Sequence, residues 1–117
     1  MKQKCEDELM HSARVKSALA RMPKYEDIEI ISQRFKALSE PSRLKILFAL
    51  EEGELCVDHI VEAVGGNQSA VSHQLKTLKD NKVVKSRREG KKILYSVSDG
   101  HVAAMLILAK EHLNCDE

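Results

Sequence analysis

The hydrophobic period of this chain switches near Val83, and that switch limits what it can fold into. From Gln68 to Asn81 the apolar residues Val71, Leu75 and Leu78 recur at helical spacing, while Ser69, Ser72, His73, Lys76 and Lys79 fall on the other face. From Val83 to Arg88, and again from Lys91 to Val97, the pattern is strand-like with a period of two. Glu89-Gly90 joins these runs as a hairpin. A helix that leads directly into a basic hairpin predicts a mostly α chain with a small β element, an α+β arrangement.

The upstream residues read as a series of short helices. Residues 6–21 form an amphipathic helix on Leu9, Val15, Leu19 and Met22, ended by Pro23. Asp27 opens a second pattern, with Ile28, Ile31, Phe35 and Leu38 at helical spacing. Ser39-Glu40-Pro41 breaks it, and Pro41 suits the first turn of the next helix. Leu44, Ile46, Leu47, Phe48 and Leu50 make that helix apolar over much of its surface, which predicts a central position. Glu51-Glu52-Gly53 is a turn, and residues 56–64 form another short helix stopped by Gly65-Gly66. Asn67 is a suitable N-cap for the helix at 68–81, and Ser98 or Asp99 caps a last helix running to about Asn114. The organisation expected is a single domain, with residues 1–24 as an N-terminal arm and helix and 25–117 as the body.

Composition narrows the function. With 117 residues, 43% of them hydrophobic, the chain can bury one core. The longest apolar run, Val102 to Ala109, is far short of the ~18 residues a membrane span needs. Met1 to Asp7 has no apolar run, so no secretory signal is expected. Three cysteines, an odd number, argue against a disulfide scaffold and for a reducing cytoplasm. An aromatic content of 3% leaves few platforms for stacking single-stranded bases. The net charge of +1 conceals an uneven distribution. Residues 67–97 hold eight Lys/Arg against two Asp/Glu, or +6, between flanks of −2 and −3. Such a stripe is either the footprint of a phosphate-backbone contact or a solvated face.

Two short helices around a glycine turn, followed by a basic hairpin, make a winged helix-turn-helix pattern. A helix entering a major groove ~12 Å wide needs a small, polar outward face. Gln68, Ser69, Ser72, His73 and Gln74 supply it, Gln being able to bond adenine bidentately. Lys76 on the helix and Arg87, Arg88, Lys91 and Lys92 on the hairpin suit phosphates or the minor groove. The partner implied is double-stranded DNA.

Three segments carry a closer resemblance. Ser39-Glu40-Pro41-Ser42-Arg43-Leu44-Lys45-Ile46-Leu47, Glu54-Leu55-Cys56-Val57 and Gln68-Ser69-Ala70-Val71-Ser72-His73-Gln74-Leu75-Lys76 resemble the ArsR/SmtB family of bacterial metal-sensing repressors, over about residues 25–115. The resemblance implies a homodimer, formed through N- and C-terminal helices, that binds palindromic operators and releases them when metal binds. It also implies that Ser69, Ser72, His73 and Gln74 contact DNA. Gly66 departs from the family, where an apolar turn residue is usual, and a looser turn is expected there.

The last helix offers Asp99, His101, His112 and Cys115 as metal ligands. His101 and His112 are eleven residues apart, close to three turns, and so share a face. Eleven residues also span about 16 Å, too far for one helix to close both histidines on a metal with a Zn–N distance of ~2.0 Å. Two antiparallel copies can do so, Asp99 and His101 of one chain meeting His112 and Cys115 of the other, with two sites per dimer. The family's zinc site on its fifth helix has this spacing, with Glu or His where Cys115 stands. The thiolate makes the set softer, suiting Zn(II) or Cd(II). The Glu54 to Val57 box further resembles the family's thiolate site, which recruits ligands from the N-terminal arm. Cys56 matches it, Asp58 and His59 stand where relatives have Cys/Gly and Asp, and Cys5 and His11 could come from the arm. The alternative is that Cys56 is a small buried hydrophobe, His59 a surface residue and Cys5 a frayed terminus.

Two rival readings remain open at this point. One keeps DNA binding but makes Cys5, Cys56 and Cys115 a disulfide or persulfide switch. The other is an interaction module or metal buffer that does not bind DNA. No nucleophile–base–orienter set or phosphate loop is visible, so no enzyme is expected.

Overall fold

The computed structural model describes residues 8–115. In chain order these form α1 (Glu8–Arg21), α2 (Tyr25–Leu38), α3 (Pro41–Ala49), a 3-10 turn (Leu50–Glu52), β1 (Leu55–Cys56), α4 (Val57–Val64), α5 (Gln68–Asp80), β2 (Val84–Glu89), β3 (Lys92–Val97) and α6 (Gly100–Leu113). The chain divides into two compact units, Met1–Ile31 and Ser32–Glu117. In the first, α1 buries no residue, and Leu9, Val15, Leu19 and Met22 are all exposed.

The second unit holds the core. Ile46 and Leu47 of α3, Leu50, Ile60 of α4, Val71, Leu75 and Leu78 of α5, Val83, Val84 and Leu106 of α6 form one buried cluster. The apolar character of residues 44–50 put α3 at the centre, and Leu47 is 0% exposed. Full burial of such a side chain is worth roughly 1.5–3 kcal/mol, so the α5 stripe alone locks that helix onto α3 and α4. Pro41 occupies the first turn of α3, where its missing N–H costs nothing.

The helix boundaries follow local chemistry. Asn67 caps α5 by accepting from the Ala70 amide at 2.8 Å. The turn before it places Gly65 at φ +86° and Gly66 at φ +90°. Both are left-handed, so an apolar L-residue at Gly66 would be strained. The departure from the family at Gly66 thus falls where the backbone shape favours glycine. At its other end α5 closes with Val83 N–H donating to Leu78 O and Lys82 N–H to Lys79 O, the paired bonds of a Schellman motif, with Lys82 at φ +63°. Ser98 then pins this corner, its hydroxyl donating to Lys82 O at 2.6 Å.

The sheet is antiparallel, ordered β1-β3-β2. Glu89 pairs with Lys92, so the loop is Gly90-Lys91, one residue later than the pattern placed it. Gly90, at φ +63°, takes the first loop position, where a two-residue hairpin of this kind requires a left-handed residue. The two-residue β1, pairing Leu55 with Tyr95 and Cys56 with Leu94, was not expected: the helix was set to begin at Cys56, which is its N-cap residue. Asp99, of the two candidates, caps α6. Among the described residues no helix is long and apolar enough to cross a membrane.

Candidate functional site

The outward face of α5 is small and polar, as expected. Gln68, Ser69, Ser72, His73 and Lys76 are all exposed, while Val71, Leu75 and Leu78 face inward. The helix is therefore fixed along one side and open along the other. Lys76 makes only an exposed i,i+4 pair with Asp80 at 3.2 Å, an interaction of about 0.3–0.5 kcal/mol that a phosphate can readily displace. On the hairpin, Arg88, Lys91 and Lys92 are exposed and have no acidic partner among the described residues.

Two expected DNA contacts are engaged elsewhere. Gln74 is half-buried, and both ends of its amide are used. Arg43 Nη1 donates to Gln74 Oε1 at 3.1 Å, and Gln74 Nε2 donates to Ser42 Oγ at 3.2 Å. Its position, one turn from Val71 and beside the buried Leu75, turns it toward the start of α3 rather than outward. Arg87 is likewise taken: its Nε and Nη2 donate to the two carboxylate oxygens of Glu54 at 2.7 and 2.8 Å. The guanidinium holds the Glu54 carboxyl below its usual range, and Glu54 in turn raises the arginine further. Ser42, Arg43 and Glu54 were not singled out from sequence. They lie 31 to 33 residues from their partners, and no local pattern marks such pairs. Lys79 lies only seven residues from its partner: its ammonium donates to Ser86 Oγ on β2 at 2.7 Å and ties α5 to the hairpin.

The candidate metal ligands fall into separate groups. At the start of α6, Asp99 Oδ1 accepts from the backbone amides of His101 (2.9 Å) and Val102 (3.1 Å). These bonds, the Val102 amide foremost, hold its carboxyl below the usual carboxylate range. His101 Nδ1 lies 3.6 Å from the same oxygen, and the imidazole is 96% exposed. Asp99 Oδ2 and His101 Nε2 thus have no partner among the described residues. His112 and Cys115 are exposed at the other end of the helix. Among the described residues of a single chain no three His, Cys, Asp or Glu side chains gather closely enough to hold a metal. Between the two ends, Met105, Ile107 and Leu108 are exposed and only Leu106 is buried. One step back along the chain, Lys110 anchors α6 to the core unit, paired with Glu51 at 2.7 Å and over the Phe48 ring at 5.4 Å.

In the second proposed group, Cys56 is 7% exposed, with His59 Nδ1 3.6 Å from its sulfur. Capping α4 with Cys56 sets the histidine one turn away on the same side. His11 is exposed on α1, and Cys5 lies outside the described residues.

Known proteins share this pattern. The profile of bacterial regulatory proteins of the arsR family matches residues 40–86, from the start of α3 into β2. A transcriptional repressor SmtB homolog of Synechocystis is 35% identical over 93% of this chain and 83% of its own length. A cadmium resistance transcriptional regulatory protein CadC homolog of Staphylococcus aureus is 35% identical over 95% of this chain and 92% of its own. Among solved structures, the homodimeric winged helix-turn-helix DNA-binding domain of a possible ArsR-family regulator from Mycobacterium bovis superposes with a TM-score of 0.70. It is 32% identical, covering 80% of this chain and 93% of that one.

Proposed function

The chain belongs to the ArsR family of bacterial regulatory proteins, and on that premise we propose that it is a cytoplasmic, homodimeric transcriptional repressor that holds double-stranded operator DNA when metal-free and releases it on binding Zn(II) or Cd(II). The observation that carries this reading is the layout of α6. Its start presents Asp99 and His101 side by side, its last turn carries His112 with Cys115 two residues past the helix end, and between them Met105 and Leu108 are exposed on the histidines' face. Two copies packed antiparallel along that face would bring the two ends together.

The donor set fits a borderline-soft divalent ion. A bound Zn(II) or Cd(II) would supply a coordination shell that cross-links the two chains. Asp99 is held in place by two amides, leaves one oxygen free, and needs no proton removed at neutral pH. His101 turns Nε2 outward with Nδ1 toward the carboxylate, the arrangement that orients a ligating imidazole. Cys115 adds a thiolate, which shifts preference toward cadmium, and the cadmium resistance regulator among the relatives supports that. On the DNA side, Gln68, Ser69, Ser72 and His73 would read base edges or phosphates. Lys76, Arg88, Lys91 and Lys92 would meet the backbone. Affinity should then fall steeply with salt.

The deciding experiment titrates Zn(II) and Cd(II) into the purified protein bound to its own promoter. Wild type releases DNA, with two metals per dimer at saturation. His101→Ala and His112→Ala bind the metal-free promoter normally but lose release. Metal-induced release that survives either substitution overturns the α6 assignment. A second reading rests on the Cys56–His59 contact, which places an imidazole beside a thiol. Release by an oxidant in the presence of chelator, abolished in Cys56→Ser, would establish that reading instead.

A further inference from the structure

Arg87 differs from every other cation of the hairpin. Its fork is matched on one edge by Glu54, through Nε at 2.7 Å and Nη2 at 2.8 Å, and Nη1 lies 3.6 Å from Glu89 Oε2. The sheet order makes the pair unusual. Arg87 sits on β2 opposite Leu94 of β3, and Leu94 is opposite Cys56 of β1. Glu54 immediately precedes β1, so the ion pair reaches across the middle strand and joins the two outer ones. Arg88, Lys91 and Lys92, a few residues further along, have nothing comparable.

We infer that Glu54 withholds Arg87 from the DNA backbone, so that an acid outside the hairpin sets how many phosphates the hairpin neutralises. The inference rests on reading this hairpin as a DNA contact. A phosphate offers arginine the same bidentate geometry as a carboxylate, so exchanging one for the other gains little. The exchange would also take from Glu54 and Glu89 their arginine partner close to a polyanion, with Lys85 the remaining cation beside Glu54, and like charges so placed repel. Lys76 presents the opposite case, since its single exposed contact to Asp80 lies within one helix and yields at little cost. The local electrostatics therefore hold Arg87 in the protein while Lys76, Arg88, Lys91 and Lys92 remain available.

The test uses the full chain, metal-free in chelator, binding a random-sequence DNA duplex followed by fluorescence anisotropy across a salt series. Each neutralised phosphate contributes about 0.9 to the slope of log affinity against log salt. Wild type and Arg87→Gln give the same slope. Glu54→Gln steepens it by about 0.9 per protomer and tightens binding at low salt, and Glu54→Gln with Arg87→Gln returns it to the wild-type value. A slope for Arg87→Gln shallower than wild type by about 0.9 per protomer overturns the inference, because Arg87 would then already be a contact. So does a Glu54→Gln slope that is unchanged or shallower. If Glu54→Gln does not fold, Arg87→Gln against wild type still decides. Wild type that binds no duplex refutes the DNA reading itself, an outcome distinct from the others.

Discussion

Helix α6 is far richer in apolar residues than α5, yet it buries fewer of them. On α5, Val71, Leu75 and Leu78 are 5%, 0% and 0% exposed, while Gln68, Ser69, Ser72, His73 and Lys76 lie exposed on the other side. On α6 only Leu106 is buried, while Met105, Ile107, Leu108 and Leu113 face outward at 38% to 83%. The first helix is finished within one chain: its packing surface is satisfied and its functional face is presented. The second leaves most of its large apolar side chains uncovered within one chain. Met105 and Leu108 share the helix face of His101 and His112, and exposed apolar side chains on one face suit an interaction surface. Reading the groove of DNA needs a rigid helix. Sensing by a shared site needs a surface that one chain leaves open.

Substitutions on the two helices should differ in kind, and those in the buried stripe of α5 should cost the most. Leu75→Ala should cost about 2–5 kcal/mol, since a fully buried leucine leaves a cavity. Urea unfolding measures it, and the loss should not depend on protein concentration. Leu108→Glu should leave the fold of one chain intact and raise the dimer dissociation constant, read by sedimentation at graded concentrations. A monomer–dimer balance unmoved by that change would remove α6 from the interface.

A smaller effect separates the two roles of Asp99. Asp99→Ala should cost about 1 kcal/mol through the lost N-cap, whereas Asp99→Asn keeps the cap. Both should weaken metal binding, so thermal melting without metal and metal titration should disagree for the asparagine variant. The smallest effect is a pH dependence. Because Asp99 titrates below its ordinary value in the folded chain, its stabilisation is present above the ordinary carboxylate range and is lost as pH falls through the depressed value. The metal-free wild type should lose that increment in acid relative to Asp99→Asn, which has nothing to titrate. Identical acid melting profiles would contradict it.

Much of this was legible because it is local. The stripe on α5, the Asn67 cap and the central α3 each depend on residues within one or two turns and match the pattern that announced them, while of Ser98 and Asp99 it is Asp99 that caps α6. The hairpin loop was placed one residue early because Glu89 reads as a turn residue until its pairing with Lys92 is known. β1 escaped notice because two residues have no period of their own; Leu55 and Cys56 are a strand only because Tyr95 and Leu94 lie beside them. Gln74 and Arg87 show the same limit in chemistry. Their side chains suit DNA, but Ser42, Arg43 and Glu54 reach them first.

From the residues alone the helices could be placed to within a residue or two, their apolar faces recognised, and the residue types able to read DNA or bind metal named. Those properties follow from spacing, caps and side-chain chemistry, which act over a few residues. Only the tertiary structure decided which of these side chains remain available. Availability depends on partners brought near by folding, and in this chain those partners come from segments more than thirty residues away. It also left Met105 and Leu108 of α6 uncovered within one chain, the feature on which the proposed metal site shared between two copies depends.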